Sequence, residues 1–279
     1  MYKGTILDAS NNPVGLLSAT RNFTKGDTLH SISGAIPTIY YSQDSFKKAA
    51  RARNTAIAGI VPTDGFSIIT YEAHVVMAIL YYAFYGGYDI NCQAVIGAGT
   101  SNYPKVTGAA NGFGMYDTYS SRLNGTGDTN SINFWGLENW WGDISEWMDN
   151  LITANNTGLI NIQNWQGNTV RQAQSHVQLS QGQCISKMVW NTQGGHVDMI
   201  PDELSGTSDY TKYYADCGYV FAAAGYVARR SDFTSHPDSG VGCLSLIDYA
   251  SIAYSASGSR LVFSGRVTDI TGTEEANNF

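Results

Sequence analysis

The sequence has little of what marks several common classes of protein. Charged residues make up only 14% of its 279 residues, and the net charge is −7. Nucleic-acid-binding proteins need basic surfaces that neutralise phosphates, so we expect no nucleic-acid partner. No apolar run approaches the length of about 18 residues that a membrane-spanning helix needs, and residues 1–6 lack the apolar core of a secretory signal. We therefore expect no membrane insertion.

Cysteine is also scarce, and its spacing is uninformative. Cys92, Cys184, Cys217 and Cys243 form no CxxC or CxxxH pattern. Metal-binding and disulfide-rich domains usually contain such spacings. The four cysteines are therefore interpreted as buried thiols.

One absence is local. Between Cys217 and Thr273 the chain contains no Trp, Gln, Lys, Glu or Met. These five types make up roughly one in six of the other residues, so about nine would be expected in this stretch. A strand-rich ending accounts for missing Lys, Glu and Gln, but not for missing Trp, which strands accept readily.

What the chain does contain favours strands and loops, with two helices. It has 30 Gly, 18 Tyr and 43% hydrophobic residues, enough for a sizeable core. Ser42 or Ser45 is placed to cap a short helix over Phe46 to Asn54. The apolar residues between Tyr71 and about Tyr85 run nearly all round a helix, which predicts burial on most faces.

Residues 132–147 form the most distinctive stretch, because four of the six tryptophans lie in it. Two Trp-Gly pairs, at Trp135-Gly136 and Trp141-Gly142, place bulky rings beside residues that allow tight turns. We expect turns and short strands packed under aromatic rings, and we call residues 132–147 the tryptophan hub.

The spacing within the hub resembles a family motif. Asn139-x-x-Gly142-Asp143-Ile144-Ser145-Glu146-Trp147 is similar to the N-x-x-G-N-V-x-E-W hallmark of the formylglycine-generating-enzyme type of C-type lectin fold, with Asp143 where Asn is usual. That group includes the variable proteins of diversity-generating retroelements. Gln93, Ile96, Gly97 and Gly99 match a second segment of those proteins.

The C-terminal region resembles the variable repeat of the same proteins. Residues 239–246, Ser251 and residues 258–263 are similar to its pattern A-G-x-F-x-L-x-L…S…G-x-R-L-x-F. The framework positions alternate as a strand pair should; they are Gly240, Leu244, Leu246, Gly258, Arg260, Leu261 and Phe263. Retroelements that mutate adenines randomise AAY codons, which never yield the five missing residue types.

The resemblance implies an α+β fold, with a small twisted antiparallel sheet, two helices and long loops. Residues 1–36 are predicted to be an N-terminal segment of strands and turns. Residues 37–279 are predicted to form one ligand-binding domain, with a variable region at about 217–263.

The predicted ligand-binding residues are positions between the framework residues, together with a similarly mixed run upstream of Gly240. Their mixture of aromatic, charged and small side chains is typical of adaptable binding surfaces. They are Tyr226, Arg229, Arg230, Asp232, Phe233, His236, Asp238, Ile247, Asp248, Tyr249, Ile252 and Tyr254.

Catalysis is not expected. The His196-Val197-Asp198 and His236-Pro237-Asp238 neighbours lack a Gly-x-Ser-x-Gly elbow, and Asp202-Glu203 after Pro201 is interpreted as a helix start. No cofactor is predicted, although Asp143 and Glu146 are oxygen donors of the kind that structural calcium uses.

The expected function is binding of a bacterial surface receptor, protein or glycan, by a phage tail-fibre protein that is a homotrimer. Such a protein is expected in the virion. The first alternative is a bacterial surface lectin or adhesin, which would lie on the bacterial cell surface. The second alternative is a formylglycine-generating-type oxidase, which holds copper through paired cysteines; Cys217 and Cys243 do not match that arrangement.

Overall fold

The computed structural model describes residues 1–15, 20–56, 65–85, 104, 106–108, 111, 133–141, 143–177, 183–205, 216–231 and 240–264. This part of the chain is mostly β-sheet with two α-helices, which is consistent with the α+β class. Neither helix has the length and apolar character needed to cross a membrane. The predicted match at Gln93, Ile96, Gly97 and Gly99 lies outside the described residues.

The elements are short and follow one another closely. The helices are α1 (Gln43–Arg51), which runs into a 3₁₀ turn (Ala52–Ala56), and α2 (Tyr71–Tyr85). The strands are β1 (Thr5–Leu7), β2 (Thr28–His30), β3 (Gly65–Ile68), β4 (Asn133–Phe134), β5 (Leu137–Glu138), β6 (Ser145–Thr153), β7 (Leu159–Gln163), β8 (Thr169–Gln174), β9 (Gln183–Asn191), β10 (His196–Leu204), β11 (Cys217–Val220), β12 (Tyr226–Arg230), β13 (Leu244–Tyr249), β14 (Ser257–Gly258) and β15 (Leu261–Ser264).

One large sheet dominates the molecule. Its strand order is β10-β9-β11-β13-β12-β6-β7-β8, and β14 also pairs with β6. The β11–β13 and β14–β6 pairs are parallel and the others are antiparallel. The expectation of a small antiparallel sheet was therefore wrong in size, and the antiparallel direction holds for all but these two strand pairs. The sheet is larger because residues 145–204, with their polar turns, supply five of its strands in succession.

Both predicted helices form. The side chain of Ser42 accepts a hydrogen bond from the backbone N–H of Ser45, which is the expected N-cap, although α1 begins three residues before Phe46. Helix α2 has the predicted bounds. Burial on most of its faces was too strong an expectation, because Val76 and Ile79 are 57% and 38% exposed.

The tryptophan hub begins with a tight hairpin. Strands β4 and β5 pair with each other, and Trp135 and Gly136 form the turn between them with φ values of +49° and +80°. Two consecutive left-handed residues match the twist of a two-residue hairpin. The turn that the Trp-Gly pair predicts is confirmed.

The hub then joins two hydrophobic clusters. Trp140 and Trp141 are fully buried; Phe134 stacks on Trp140 at 5.3 Å, and the Tyr81 ring from α2 meets Trp141 edge-on at 5.3 Å. Trp147, on β6, packs in the second cluster with α1, and its indole N–H donates to the carbonyl of Tyr41 over 3.2 Å. Strand β6 is therefore held from both sides.

Residues 1–36 are bonded to the rest of the fold. The N–H of Gly4 donates to the carbonyl of Ser259, and the N–H of Thr38 donates to the carbonyl of Gly4, both within 2.9 Å. The Nζ of Lys3 donates to the carbonyl of Ile144 over 2.6 Å. The N-terminal strands thus pack directly beside the hub and the C-terminal framework.

Candidate ligand-binding surface

The C-terminal framework places two strands next to the hub. Strand β12 pairs with β13 on one side, through Tyr226 opposite Tyr249, and with β6 on the other, through Arg229 opposite Trp147. On β13, Leu244 and Leu246 are buried. Ser245 and Asp248 are buried as well, so Ile247 and Tyr249 are the side chains of β13 that reach the surface.

An aromatic group occupies the exposed end of this strand pair. The rings of Tyr226 and Tyr249 lie 4.5 Å apart, and Phe221 meets Tyr226 edge-on at 5.4 Å. A hydrogen bond to Tyr249, followed by burial, raises the pKa of Tyr226. Tyr249 and Phe221 are 49% and 39% exposed. Large rings left open to water in this way are typical of binding anchors.

The loop between β13 and β14 is fixed by its backbone. The N–H groups of Tyr40 and Asp44 donate to the carbonyls of Tyr254 and Ala250, over 2.9 and 3.1 Å. The N–H of Ser145 donates to the carbonyl of Ala256 over 2.9 Å. Since main-chain bonds hold this loop, its side chains can differ without moving it.

Further exposed side chains lie on β13 and on the loop that follows it. Ile247, Ile252 and Tyr254 are 38–39% exposed. We call the following six residues the display surface: Phe221, Tyr226, Ile247, Tyr249, Ile252 and Tyr254.

A polar cluster borders the display surface. The hydroxyl of Tyr254 donates to the Asp248 carboxylate over 2.6 Å, and Arg229 Nη2 lies 3.3 Å from the other carboxylate oxygen. The Arg229 guanidinium lies over the ring of Tyr254, 4.9 Å from its centroid, and 5.6 Å from that of Trp147. Burial, followed by the hydrogen bond to Asp248, raises the pKa of Tyr254 to about 12. The predicted residues Arg229 and Asp248 therefore form one ion pair, to which Tyr254 is hydrogen-bonded.

Arg230 does not belong to this surface, so its prediction as a ligand-binding residue was wrong. It is 1% exposed, and its guanidinium donates to the Glu146 carboxylate and to the carbonyl of Trp140. Arg229 and Arg230 alternate across the strand, so only Arg229 borders the exposed face. The other predicted residues, Asp232, Phe233, His236 and Asp238, lie outside the described residues.

Glu146 is the centre of a buried ion cluster beneath this region. Its carboxylate accepts from Arg230, and from Arg260 Nη2 over 2.7 Å, while Lys3 Nζ lies 3.9 Å away. Burial alone raises the pKa of Glu146, but the three cations outweigh it and hold the pKa at about 2. Because both carboxylate oxygens accept from arginines, Glu146 does not fit the predicted role of a calcium ligand. Within the described ranges, no three Asp, Glu, His or Cys side chains form a ligand set.

The sheet brings three cysteines onto neighbouring strands. Cys184 on β9 is directly opposite Cys217 on β11, and Cys243 comes one residue before Leu244, which pairs with Gly218. This arrangement could not be predicted from their spacing along the chain. All three are at most 2% exposed, as predicted for buried thiols. Cys92 lies outside the described residues.

The remaining candidate pairs are in strands. Asp202 and Glu203 lie in β10, so the predicted helix start was wrong; their strand pairs with β9, opposite Lys187. Asp198 is also in β10 and is bonded by Arg171 and by the Tyr71 hydroxyl. The contact between β8 and β10 could not be predicted from the sequence, because Arg171 and Asp198 lie in no local pattern.

A comparison of the sequence with protein-family models gives no match, and a comparison with curated proteins gives none either.

Proposed function

We propose that the chain is a ligand-binding protein that presents a hypervariable surface on a C-type lectin scaffold of the formylglycine-generating-enzyme subgroup. The observation that carries this proposal is that several framework positions are buried beside intervening positions that are exposed. Phe263 in the framework, 38% exposed, and the intervening Asp248, 7% exposed, are exceptions. Leu244, Leu246 and Arg260 are at most 1% exposed, whereas Tyr249 and Ile252 are 49% and 38% exposed. Exposed positions on a fixed backbone tolerate exchange, because surface substitutions usually change stability by less than about 0.5 kcal/mol.

The two motifs that carry the family resemblance meet in space, which supports the scaffold. Glu146 belongs to the hub motif and Arg260 to the C-terminal one, and the Nε and Nη2 groups of Arg260 both donate to Oε1 of Glu146. Strand β14 pairs with β6 through Gly258 opposite Glu146. A side chain at Gly258 would come within 2.5 Å of Ile144. Both motifs thus have a structural reason for their residues.

The setting that fits such a surface best is a phage tail-fibre tip that binds a receptor, protein or glycan, on a bacterium. A homotrimer would present three surfaces, and avidity would raise a weak single-site affinity. A bacterial surface adhesin would use the same residues. An oxidase is less well supported, because Cys217 and Cys243 are buried, and a substrate thiol needs an accessible partner.

The first experiment removes three side chains of the display surface. Ile247→Ala, Tyr249→Ala and Ile252→Ala are combined as the display-triple variant, and binding to a panel of bacterial strains is measured by flow cytometry. Loss of all three anchors is expected to weaken binding by at least about a hundredfold, since each contributes on the order of 1–2 kcal/mol.

The matched control combines Val76→Ala and Ile79→Ala, which remove exposed apolar side chains from α2. This control is expected to bind like the native chain. Equal binding by the display-triple variant and the native chain would refute the proposed surface.

A second experiment sequences the coding region for residues 217–263 from many isolates. Substitutions confined to AAY-derived codons, beside a template repeat and a reverse transcriptase gene, are the expected result. Neighbouring genes for phage tail or for cell-surface proteins separate the two settings. Uniform codons without a template would refute diversification and leave only the binding surface to test.

A further inference from the structure

A second concave region lies where β8 meets the β9–β10 hairpin. It is a cleft of about 750 Å³, and none of its lining residues belongs to the display surface. That volume lies within the usual range for small-ligand sites, roughly 300–1,000 Å³. The cleft also lies outside residues 217–263, so it would remain constant while the display surface changed.

Ion pairs hold the walls of the cleft together. Arg171 on β8 forms an ion pair with Asp198 on β10, with one contact of 3.1 Å from Nη2. Asp202 accepts from Lys187 Nζ over 2.8 Å and lies 2.6 Å from His176 Nδ1. Since the two carboxylates are each paired with a cation, the walls have no strong preference for a charged ligand.

The remaining lining is a combination of one open aromatic ring and several amides. Trp190 is 57% exposed, although a ring of this size is normally covered. Gln172 and Gln174 extend from β8, and their amide nitrogens donate to Asn161 Oδ1 and to the carbonyl of Thr157, over 2.9 and 2.6 Å. These bonds hold the amides in place, and each amide oxygen can still accept a hydrogen bond.

We propose that this cleft binds a neutral oligosaccharide. The apolar C–H face of one sugar ring would stack on Trp190, and its hydroxyl groups would bond to the amides of Gln172 and Gln174. The paired charges of the cleft favour an uncharged ligand, its fixed amides favour a polar one, and its one exposed ring favours a ligand with a flat apolar face. The site is independent of the proposed function, since it uses none of the variable positions.

The competing occupant is an extended peptide added to β8, which pairs only with β7 among the described residues. Strand addition needs a continuous row of open backbone groups along the edge. Here side-chain bonds cross from β8 and the residues after it to β10: Arg171 reaches Asp198, and Ser175 Oγ donates to the carbonyl of Pro201 over 2.7 Å. These bridges obstruct a peptide strand and leave the sugar as the better fit.

The test titrates the full chain with three neutral hexasaccharides, namely cellohexaose, maltohexaose and N-acetylchitohexaose. Binding is followed by isothermal calorimetry and by tryptophan fluorescence. At least one hexasaccharide is expected to bind with a millimolar or lower Kd. Trp190→Ala is expected to weaken it by about tenfold or more, equivalent to about 1.4 kcal/mol, and Trp190→Phe by less, because a ring remains.

Tyr249→Ala is the control, because it alters the display surface and leaves the cleft intact; its affinity for the hexasaccharide is expected to be unchanged. Circular dichroism confirms that each variant is folded. Three results would overturn the proposal: no binding of any of the hexasaccharides at millimolar concentration, binding that Trp190→Ala leaves unchanged, or capture of an extended peptide by the cleft in place of the sugars.

Discussion

Replacing Glu146 by glutamine is expected to lower the free energy of unfolding by about 3–5 kcal/mol at pH 7, the usual cost of removing one partner of a buried ion pair. The carboxylate is 0% exposed and lies among Arg230, Arg260 and Lys3. Glutamine keeps the shape but removes the charge, so three buried cations are left without their anion.

The pKa of Glu146 gives a second route to the magnitude. The surrounding cations outweigh the effect of burial and lower this pKa from 4.5 to about 2. At about 1.4 kcal/mol for each pH unit, that difference corresponds to about 3 kcal/mol. Because the folded pKa is the lower one, the stabilisation is complete above about pH 4.5 and disappears as the pH falls towards 2.

The neighbouring cations show the opposite effect. Burial lowers the pKa of Lys3 to about 8 and that of Arg230 to about 10, even though Glu146 raises both. The lowered pKa of Glu146 and the lowered pKa values of Lys3 and Arg230 are consistent, because several cations share one carboxylate. The carboxylate is stabilised, while the surplus cations are destabilised by their burial and by one another.

The assay is urea unfolding followed by tryptophan fluorescence, with the native chain and Glu146→Gln compared at pH 7 and near pH 3. The difference between them is expected to shrink at the lower pH. The control is Glu203→Gln, since Glu203 is 55% exposed and pairs with Lys187 at the surface. That change is expected to cost less than about 1 kcal/mol. The reasoning fails if both variants lose the same stability at pH 7.

Three further predictions concern other groups. The native chain is expected to gain stability between about pH 8 and 10.5, because the folded pKa of Lys3 is about 8 and the unfolded state binds more protons in that window. Lys3→Met is expected to abolish this rise. Urea unfolding at pH 8 and 10 measures the rise, and the same pH dependence in both proteins would contradict the prediction. Tyr254→Phe removes the 2.6 Å hydrogen bond to buried Asp248, with an expected cost of about 1–2 kcal/mol, whereas a loss below about 0.3 kcal/mol in urea unfolding would show that the bond is unimportant. The display-triple variant is expected to lose no more than about 1.5 kcal/mol, and calorimetric melting far below that of the native chain would mean that these side chains hold the fold.

Patterns within short stretches were predictable from the sequence. Helix α2 follows from an apolar run with a clear beginning and end, and the hub hairpin follows from a Trp-Gly pair that needs two left-handed residues. The alternation at Leu244 and Leu246 indicated which side of β13 is buried. In each case the deciding interactions lie within a few residues.

Long-range ion pairs were not predictable in this way. Arg230 was placed at the surface because its neighbours are a varied mixture, but its partner Glu146 lies 84 residues earlier in the chain. An acidic residue inside the hub motif was the one available sign that an arginine would be buried nearby. The contacts that form the cleft likewise join Arg171 to Asp198 across 27 residues.

The buried cluster around Glu146 also determines when the protein can fold. Lys3 and Arg260 lie far apart in the sequence, yet they share the Glu146 carboxylate, which is fully surrounded only once residue 260 is available. The carbonyl of Met1 accepts from the same arginine across a separation of 259 residues. Contacts between residues so far apart form slowly, so we expect this cluster to form late in folding. A chain that ended before residue 260 would lack Arg260 and leave the Glu146 carboxylate with fewer buried cations, so we expect such a chain to be unstable.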